Sequence, residues 1–332
     1  MGAFGLYTHI QANNVRSAIL LAGFPLLLVG IIYVLTVGLI GTGVLPSGSS
    51  VSDDLVRAAR LMVLGVPAAV VVSLVWFAIA YFANTAIIGA MTGSKAVTRQ
   101  DQPELYNLLE NLCISRGIPT PSLRIIESEA LNAFASGMNE KQYTITVTRG
   151  LTQTLDRDEM EAVLAHELTH VVNRDVRTMI IASVFAGIIT LIAQLLFRVV
   201  QFGGLRGGSK KAGGGFFVLI ALAVAAVGYL LAIVIRMALS RSREFVADAG
   251  AVELTKNPDA MIGALRKISG SATKLEAPES VQAMFLENSR SGVMDIFATH
   301  PPIEKRIAAL VKYAGGYDTP SPTVVDAKGP WG

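Results

Sequence analysis

The sequence predicts a mainly α-helical integral membrane protein with a small β-sheet and up to four transmembrane helices. Three observations carry this. Charged residues are 16% of the 332 positions against 52% apolar ones, and the mean hydropathy is +0.51, on the membrane side of the soluble average. Four uncharged runs are long enough to cross a bilayer, which takes about 20 residues. The polar segments between them combine helical periodicity with two short strand patterns.

The runs are Ser17 to Ile40, Leu61 to Ala90, the interval between Arg177 and Arg198, and that between Lys211 and Arg236. The first is too long for a removable signal peptide and lacks a small-residue cleavage site. The third follows directly on a polar helix and suits a buried helix as well as a span. The expected organisation is an N-terminal pair of spans (1–94), a first soluble part (95–177), a second hydrophobic hairpin (178–235), a second soluble part (236–315) and a disordered tail (316–332), with disorder expected from Gly315 on. Lys95, Arg99, Arg174, Arg177, Arg236, Arg241 and Arg243 flank the runs on the side of the polar segments, which points that side to the cytoplasm. The loop 198–211, with Arg198, Arg206, Lys210 and Lys211 and no acid, runs against that rule if the hairpin spans fully. Either other signals override it or the second pair is partly sheltered by protein. Gly203 to Gly215 matches no phosphate-binding loop and reads as a linker.

The net charge of +3 is small and its basic residues are scattered, so nucleic-acid binding is not expected. The single cysteine, Cys113, excludes an internal disulfide and a cysteine-based zinc site. It reads as a small apolar residue packed on a helix.

In the first soluble part, Gln102 to Arg116 reads as a helix with Leu105, Leu108, Leu109 and Leu112 on one face, ended by Gly117 to Pro121. Leu123 to Glu127 reads as a strand. Asn132 to Gly137 leads to a turn at Asn139-Glu140-Lys141 and a second strand, Tyr143 to Thr148, alternating Ile145 and Val147 with threonines. Asp156 or Thr154 can cap the next helix, where Asp158 and Glu159 suit the positive N-terminal end. The second soluble part holds a helix through Arg243 to Asp248, another from Pro258 to Ile268, an exposed loop from Ser269 to Ser280, and an amphipathic helix from Pro301 to Tyr313.

The helix after Asp156 contains His166-Glu167-Leu168-Thr169-His170, which fits H-E-x-x-H. Residues four apart share a helical face, so both imidazoles can reach one metal ion, while Glu167 can address a metal-bound water. Two of the four histidines of the chain fall in this motif. A catalytic zinc takes three protein ligands. Asp175 points away from the shared face and reads as an exposed or capping residue. Positions 173 and 176 are Asn and Val, so no third histidine follows at short spacing. Glu244, with Asp248 one turn later, reads either as the third ligand backed by an acceptor for a bound imidazole or as the solvated end of a membrane helix.

These residues resemble a known family. Asn132-Ala133-Phe134-Ala135-Ser136-Gly137, the stretch from His166 to Asp175, Arg243-Glu244-Phe245-Val246-Ala247-Asp248 and Thr299-His300-Pro301-Pro302 with Arg306 are similar, in this order, to the HtpX family of membrane-bound zinc endopeptidases. The resemblance spans nearly the whole chain. It implies a gluzincin-like zinc peptidase domain, one zinc per subunit on His166, His170 and Glu244, and membrane-protein quality control with the active site facing the cytoplasm of a multi-pass protein in the bacterial inner membrane. The substrates expected are unfolded or membrane proteins; the oligomeric state is not indicated.

The roles expected on that basis are Glu167 as general base and Asp248 as the group that orients a ligand. Asn132, Ala133, Phe134, Ala135 and Ser136 read as a strand along which substrate pairs, or as an ordinary loop entering a strand. His300 reads as an oxyanion donor held by Arg306, or as a residue at the start of a helix. Two other classes are open to this composition. An inactive membrane scaffold with a structural zinc has no use for Glu167. An ion or metal transporter would need ionisable residues in the four runs, which have none.

Overall fold

The computed structural model describes residues 6–41, 45–181, 228–229, 243–271 and 301–318. Two compact units share the chain, one formed by Met1–Ile87 with Asn173–Leu239 and the other by Ile88–Val172 with Ser240–Gly332.

The first unit is built on α1 (Leu6–Gly41) and most of α2 (Val51–Thr92). Their facing residues pack where the helices approach: Val37 and Ile40 of α1 against Ala58 of α2, flanked by Tyr33 and Leu45. Ser49 and Asp53, with Ser50 and the Asp53 N–H, satisfy polar groups around the start of α2. Residues 175–181 continue as α6, and Thr178 shares a buried hydrogen bond of 2.7 Å with Ser17 of α1. Among the described residues one helix is long and apolar enough to cross a membrane, Val51–Ile79, with mean hydropathy 2.4. Val63, Leu64 and Phe82 of α2 turn about three quarters of their surface outward, as lipid-facing side chains do. The first apolar run lies within α1, whose shorter apolar stretch is Leu28–Ile40. Most of the third and fourth runs, with the Gly-rich linker, fall outside the described residues.

The second unit carries a four-stranded sheet in the order β1-β2-β4-β3. β1 (Lys95–Val97) pairs antiparallel with β2 (Ser122–Ile126), β2 parallel with β4 (Thr144–Thr148), and β4 antiparallel with β3 (Ala133–Ser136). In this register Leu123, Ile125, Ala133, Ala135, Ile145 and Val147 share one face, and all six are buried. β3 and β4 meet α5 (Arg157–Val172), which also packs on α3 (Pro103–Arg116) and α8 (Pro258–Ser269). Short α4 (Arg149–Thr154) joins β4 to α5, α7 spans 243–255, and α9 (Ile303–Ala314) packs on α8. α3 ends on Gly117 at φ 66°, which a left-handed cap requires.

Sequence and structure part in three places. β1 has too few residues to show an alternating pattern and exists through its pairing with β2. Asp175, expected to be exposed or capping, is buried. The segment expected to be disordered from Gly315 is anchored over residues 315–318: Arg266 of α8 grips both carboxylate oxygens of Asp318 at 3.1 and 2.6 Å, and Asp259 accepts the Tyr317 N–H at 2.7 Å. Residues 319–332 and the loop from 272 to 280 lie outside the described residues.

Candidate metal centre

α5 starts in a capping box. The Asp156 carboxylate accepts the Glu159 N–H and the Glu159 carboxylate accepts the Asp156 N–H, both at 2.9 Å. From Met160 to Val171 the helix is buried around nearly its whole circumference, the pattern of a helix running through a core. Its polar residues therefore need internal partners.

His166 and His170 find them in each other and in α7. Their Nε2 atoms are 3.2 Å apart. The Glu244 carboxylate straddles them, with Oε2 3.6 Å from His166 Nε2 and Oε1 3.6 Å from His170 Nε2. α7 can come so close because of Gly250, where a Cβ would lie 2.4 Å from Thr169 Cγ2. Ala247 and Ala251 on the same side of α7 are fully buried. The contact of small residues on α7 with the motif's own Thr169 brings Glu244 over the two histidines.

One turn after Glu244, Asp248 Oδ1 lies 3.0 Å from His166 Nδ1. Asp248 is held in turn by Arg306 of α9, whose guanidinium donates to Oδ2 at 2.9 Å and to Oδ1 at 2.6 Å. Arg306 Nη1 also comes within 3.7 Å of Glu244 Oε2. The guanidinium is fully buried, as are Asp248 and Glu244 to within 3% of side-chain exposure. Sequence reasoning associated Arg306 with His300 and missed its hold on Asp248. The available signal was an arginine on the buried stripe that it shares with Ile307 and Leu310, a place where charge persists only with a partner.

Burial pushes the His166 imidazole toward neutrality, but the Asp248 and Glu244 carboxylates outweigh it against the opposing charge of Arg306, and its pKa rises to about 9. Burial likewise works against the Asp248 carboxylate, yet the Arg306 charge and hydrogen bonds hold its pKa below the ordinary value. The Arg306 guanidinium is kept charged against burial by Asp248, Glu244 and Glu167. Glu167 itself is 2% exposed.

The donor set fits a divalent metal. A tetrahedral zinc with bonds of about 2.0–2.1 Å separates its ligand atoms by about 3.3 Å; here the two imidazole nitrogens are 3.2 Å apart, each has a different Glu244 oxygen at 3.6 Å, and one donor atom from each of the three residues lies within 4.8 Å of the others. His166, His170 and Glu244 form the one buried group of potential metal ligands among the described residues. Asp248 behind His166 is the acceptor that a metal-bound imidazole takes on its second nitrogen.

β3, which holds Ala133 to Ser136, is the outer strand of the sheet and packs beside α5. The Thr148 N–H donates to the Asn132 carbonyl at 3.0 Å, so the alternation of an antiparallel ladder turns the main-chain groups of Ala133 and Ala135 away from β4. Asn132 Oδ1 takes the Ala133 N–H at 2.9 Å. Asn132 to Ser136 are all buried. His300 lies outside the described residues.

The profile of peptidase family M48 matches residues 99–314, a stretch that includes every residue of this centre. The chain belongs to peptidase family M48. Within M48 it groups with the HtpX proteases. A protease HtpX homolog from Bacteroides fragilis (strain YCH46) is 42% identical over 320 residues, covering 93% of this chain and 99% of its own. One from Ligilactobacillus salivarius (strain UCC118) is 35% identical over 310 residues, covering 92% and 99%. A crystal structure of S. mikatae Ste24p aligns with TM-score 0.46 at 18% identity, covering 92% of this chain and 66% of that one, a likeness too distant to bear on the site. This M48 protein is a membrane-bound metalloprotease, and its cofactor is zinc.

Proposed function

We propose that this HtpX-family protease is a zinc endopeptidase that hydrolyses unfolded or misfolded membrane proteins. In this reading it is a multi-pass protein of the bacterial inner membrane with its active site facing the cytoplasm. The observation that carries the endopeptidase reading is Glu167, a buried carboxylate next in sequence to a ligand histidine of a three-donor site. A purely structural zinc has no use for a base there.

His166, His170 and Glu244 would hold the zinc, which when bound polarises the scissile carbonyl and acidifies a water. Glu167 takes the water proton and delivers it to the leaving amine. Asp248 keeps His166 turned with Nε2 toward the centre, and Arg306 keeps Asp248 ionised and aligned. Extended substrate would pair with the outward main-chain groups of β3, chiefly at Ala135, since Asn132 already takes the Ala133 N–H. Because β3 is buried, an incoming chain pairs with it only once that edge is uncovered. His300 would donate to the oxyanion; His300→Ala should retain zinc and lose activity.

The deciding experiment purifies the full chain in detergent with a chelator, restores zinc and supplies an unfolded protein. Cleavage should return with zinc and be absent from Glu167→Gln. If zinc restores nothing, or the variant cleaves as well as the parent, the reading fails.

A further inference from the structure

Separate from the ligand triad, an open groove of about 860 Å³ runs between α7 and α9. α9 lines it with Lys305, Ala308, Ala309, Lys312 and Tyr313, positions that recur at helical spacing and form one outward stripe. α7 supplies Ala249 and Val252, so small and apolar side chains make the floor, with Phe245 and Tyr313 as the aromatic members of the lining.

The charge of the groove is lopsided. Lys256, Lys305 and Lys312 border it, and among the described residues none has a carboxylate within ion-pair distance. The two acids of the lining are engaged elsewhere: Glu253 faces Arg116 at 3.2 Å and Asp248 is gripped by Arg306. Lys312 rests over the Tyr313 ring at 5.0 Å. Lys256 adopts φ 56° at the end of α7, a left-handed position that glycine occupies with less strain.

We propose that this groove holds an anionic phospholipid, its headgroup phosphate among the three lysines and an acyl chain along the alanine floor. Three lysines without an ion-pair partner among the described residues, beside an apolar floor, match a ligand that is anionic at one end and apolar at the other. A free phosphate would leave the floor unused, and an acidic peptide would bring main-chain polar groups to a surface with no partners for them. The protein is membrane-bound, so phospholipid is at hand. This inference is independent of the catalytic reading.

The test titrates full-length protein in neutral detergent with a fluorescent short-chain phosphatidylglycerol, and in parallel with the matching phosphatidylcholine. The triple variant Lys256→Gln, Lys305→Gln, Lys312→Gln removes the charges, and Ala309→Trp fills the floor while keeping them. At about fivefold per basic residue, the anionic lipid should bind the parent on the order of 100-fold more tightly than the triple variant. Ala309→Trp should weaken both lipids, and inorganic phosphate should not compete. Equal binding of the two lipids by the parent, or unchanged binding in both variants, overturns the proposal. Displacement by phosphate alone, or by an acidic peptide as effectively as by unlabelled lipid, overturns it as well. Thermal unfolding monitors the fold of each variant; should the triple variant not fold, Ala309→Trp decides alone.

Discussion

Arg306 of α9 donates to both carboxylate oxygens of Asp248 on α7, at 2.9 and 2.6 Å. That paired contact makes the C-terminal helix part of the metal centre, because Asp248 lies 3.0 Å from His166. Glu244 and Asp248 are almost fully buried, and the Arg306 guanidinium supplies compensating charge to both. Charged partners removed from water in this way are costly to separate, although the intact pair adds little net stability.

Arg306→Met should therefore destabilise the protein by about 3–5 kcal/mol, the usual loss when one member of a buried pair is removed. Zinc affinity should fall roughly 10- to 100-fold, as for loss of a group that orients a ligand. Denaturant unfolding and chelator competition measure the two effects. Arg306→Lys keeps the charge but not the planar fork, and should recover stability only in part.

Gly250→Ala would put a methyl group 2.4 Å from Thr169 Cγ2. The helices must separate, at about 1–3 kcal/mol for overpacking, and Glu244 retreats from the histidines. Zinc content and thermal unfolding should both fall. Adding Thr169→Ala removes most of the clash, so the double variant should be more stable than Gly250→Ala alone.

Asp156→Ala deletes one half of the capping box that starts α5. The expected loss is about 1 kcal/mol by denaturant unfolding. Zinc affinity should hardly change, since the cap and the ligands lie at opposite ends of the helix.

Burial pushes the Cys113 thiol up to about 11, with Glu110 adding to the rise and Thr120 opposing it. The folded pKa exceeds the ordinary 9.0, so the protonated thiol favours folding below that pH, and this contribution is lost as pH rises toward 11. Alkylation by iodoacetamide at neutral pH should be slow in the native protein and fast after unfolding. Rapid modification of the native protein would contradict the burial.

Much of the second unit is legible locally. α3, α8 and α9 announce themselves by leucine and isoleucine spacing, and β4 by its alternating threonines. His166 and His170 need only the pitch of one helix to share a face. Other features depend on segments distant in sequence. β1 has three residues and is defined by β2. The anchoring of 315–318 depends on Arg266 and Asp259, and Asp175 is buried although its local context suggests exposure.

The sequence by itself determined the two imidazoles and the neighbouring carboxylate, because helical geometry places residues four apart on one side of the same cylinder. It also determined a membrane-bound protein, because a charge-free interval from Arg60 to Lys95 exceeds the thickness of a bilayer core. Only the tertiary structure decided how the centre is completed. Glu244 reaches the histidines because Gly250 lets α7 approach Thr169, and Asp248 stays ionised in a buried place because Arg306 arrives from α9. Close packing and charge compensation act between helices far apart in the chain, and no local pattern of residues encodes their distance.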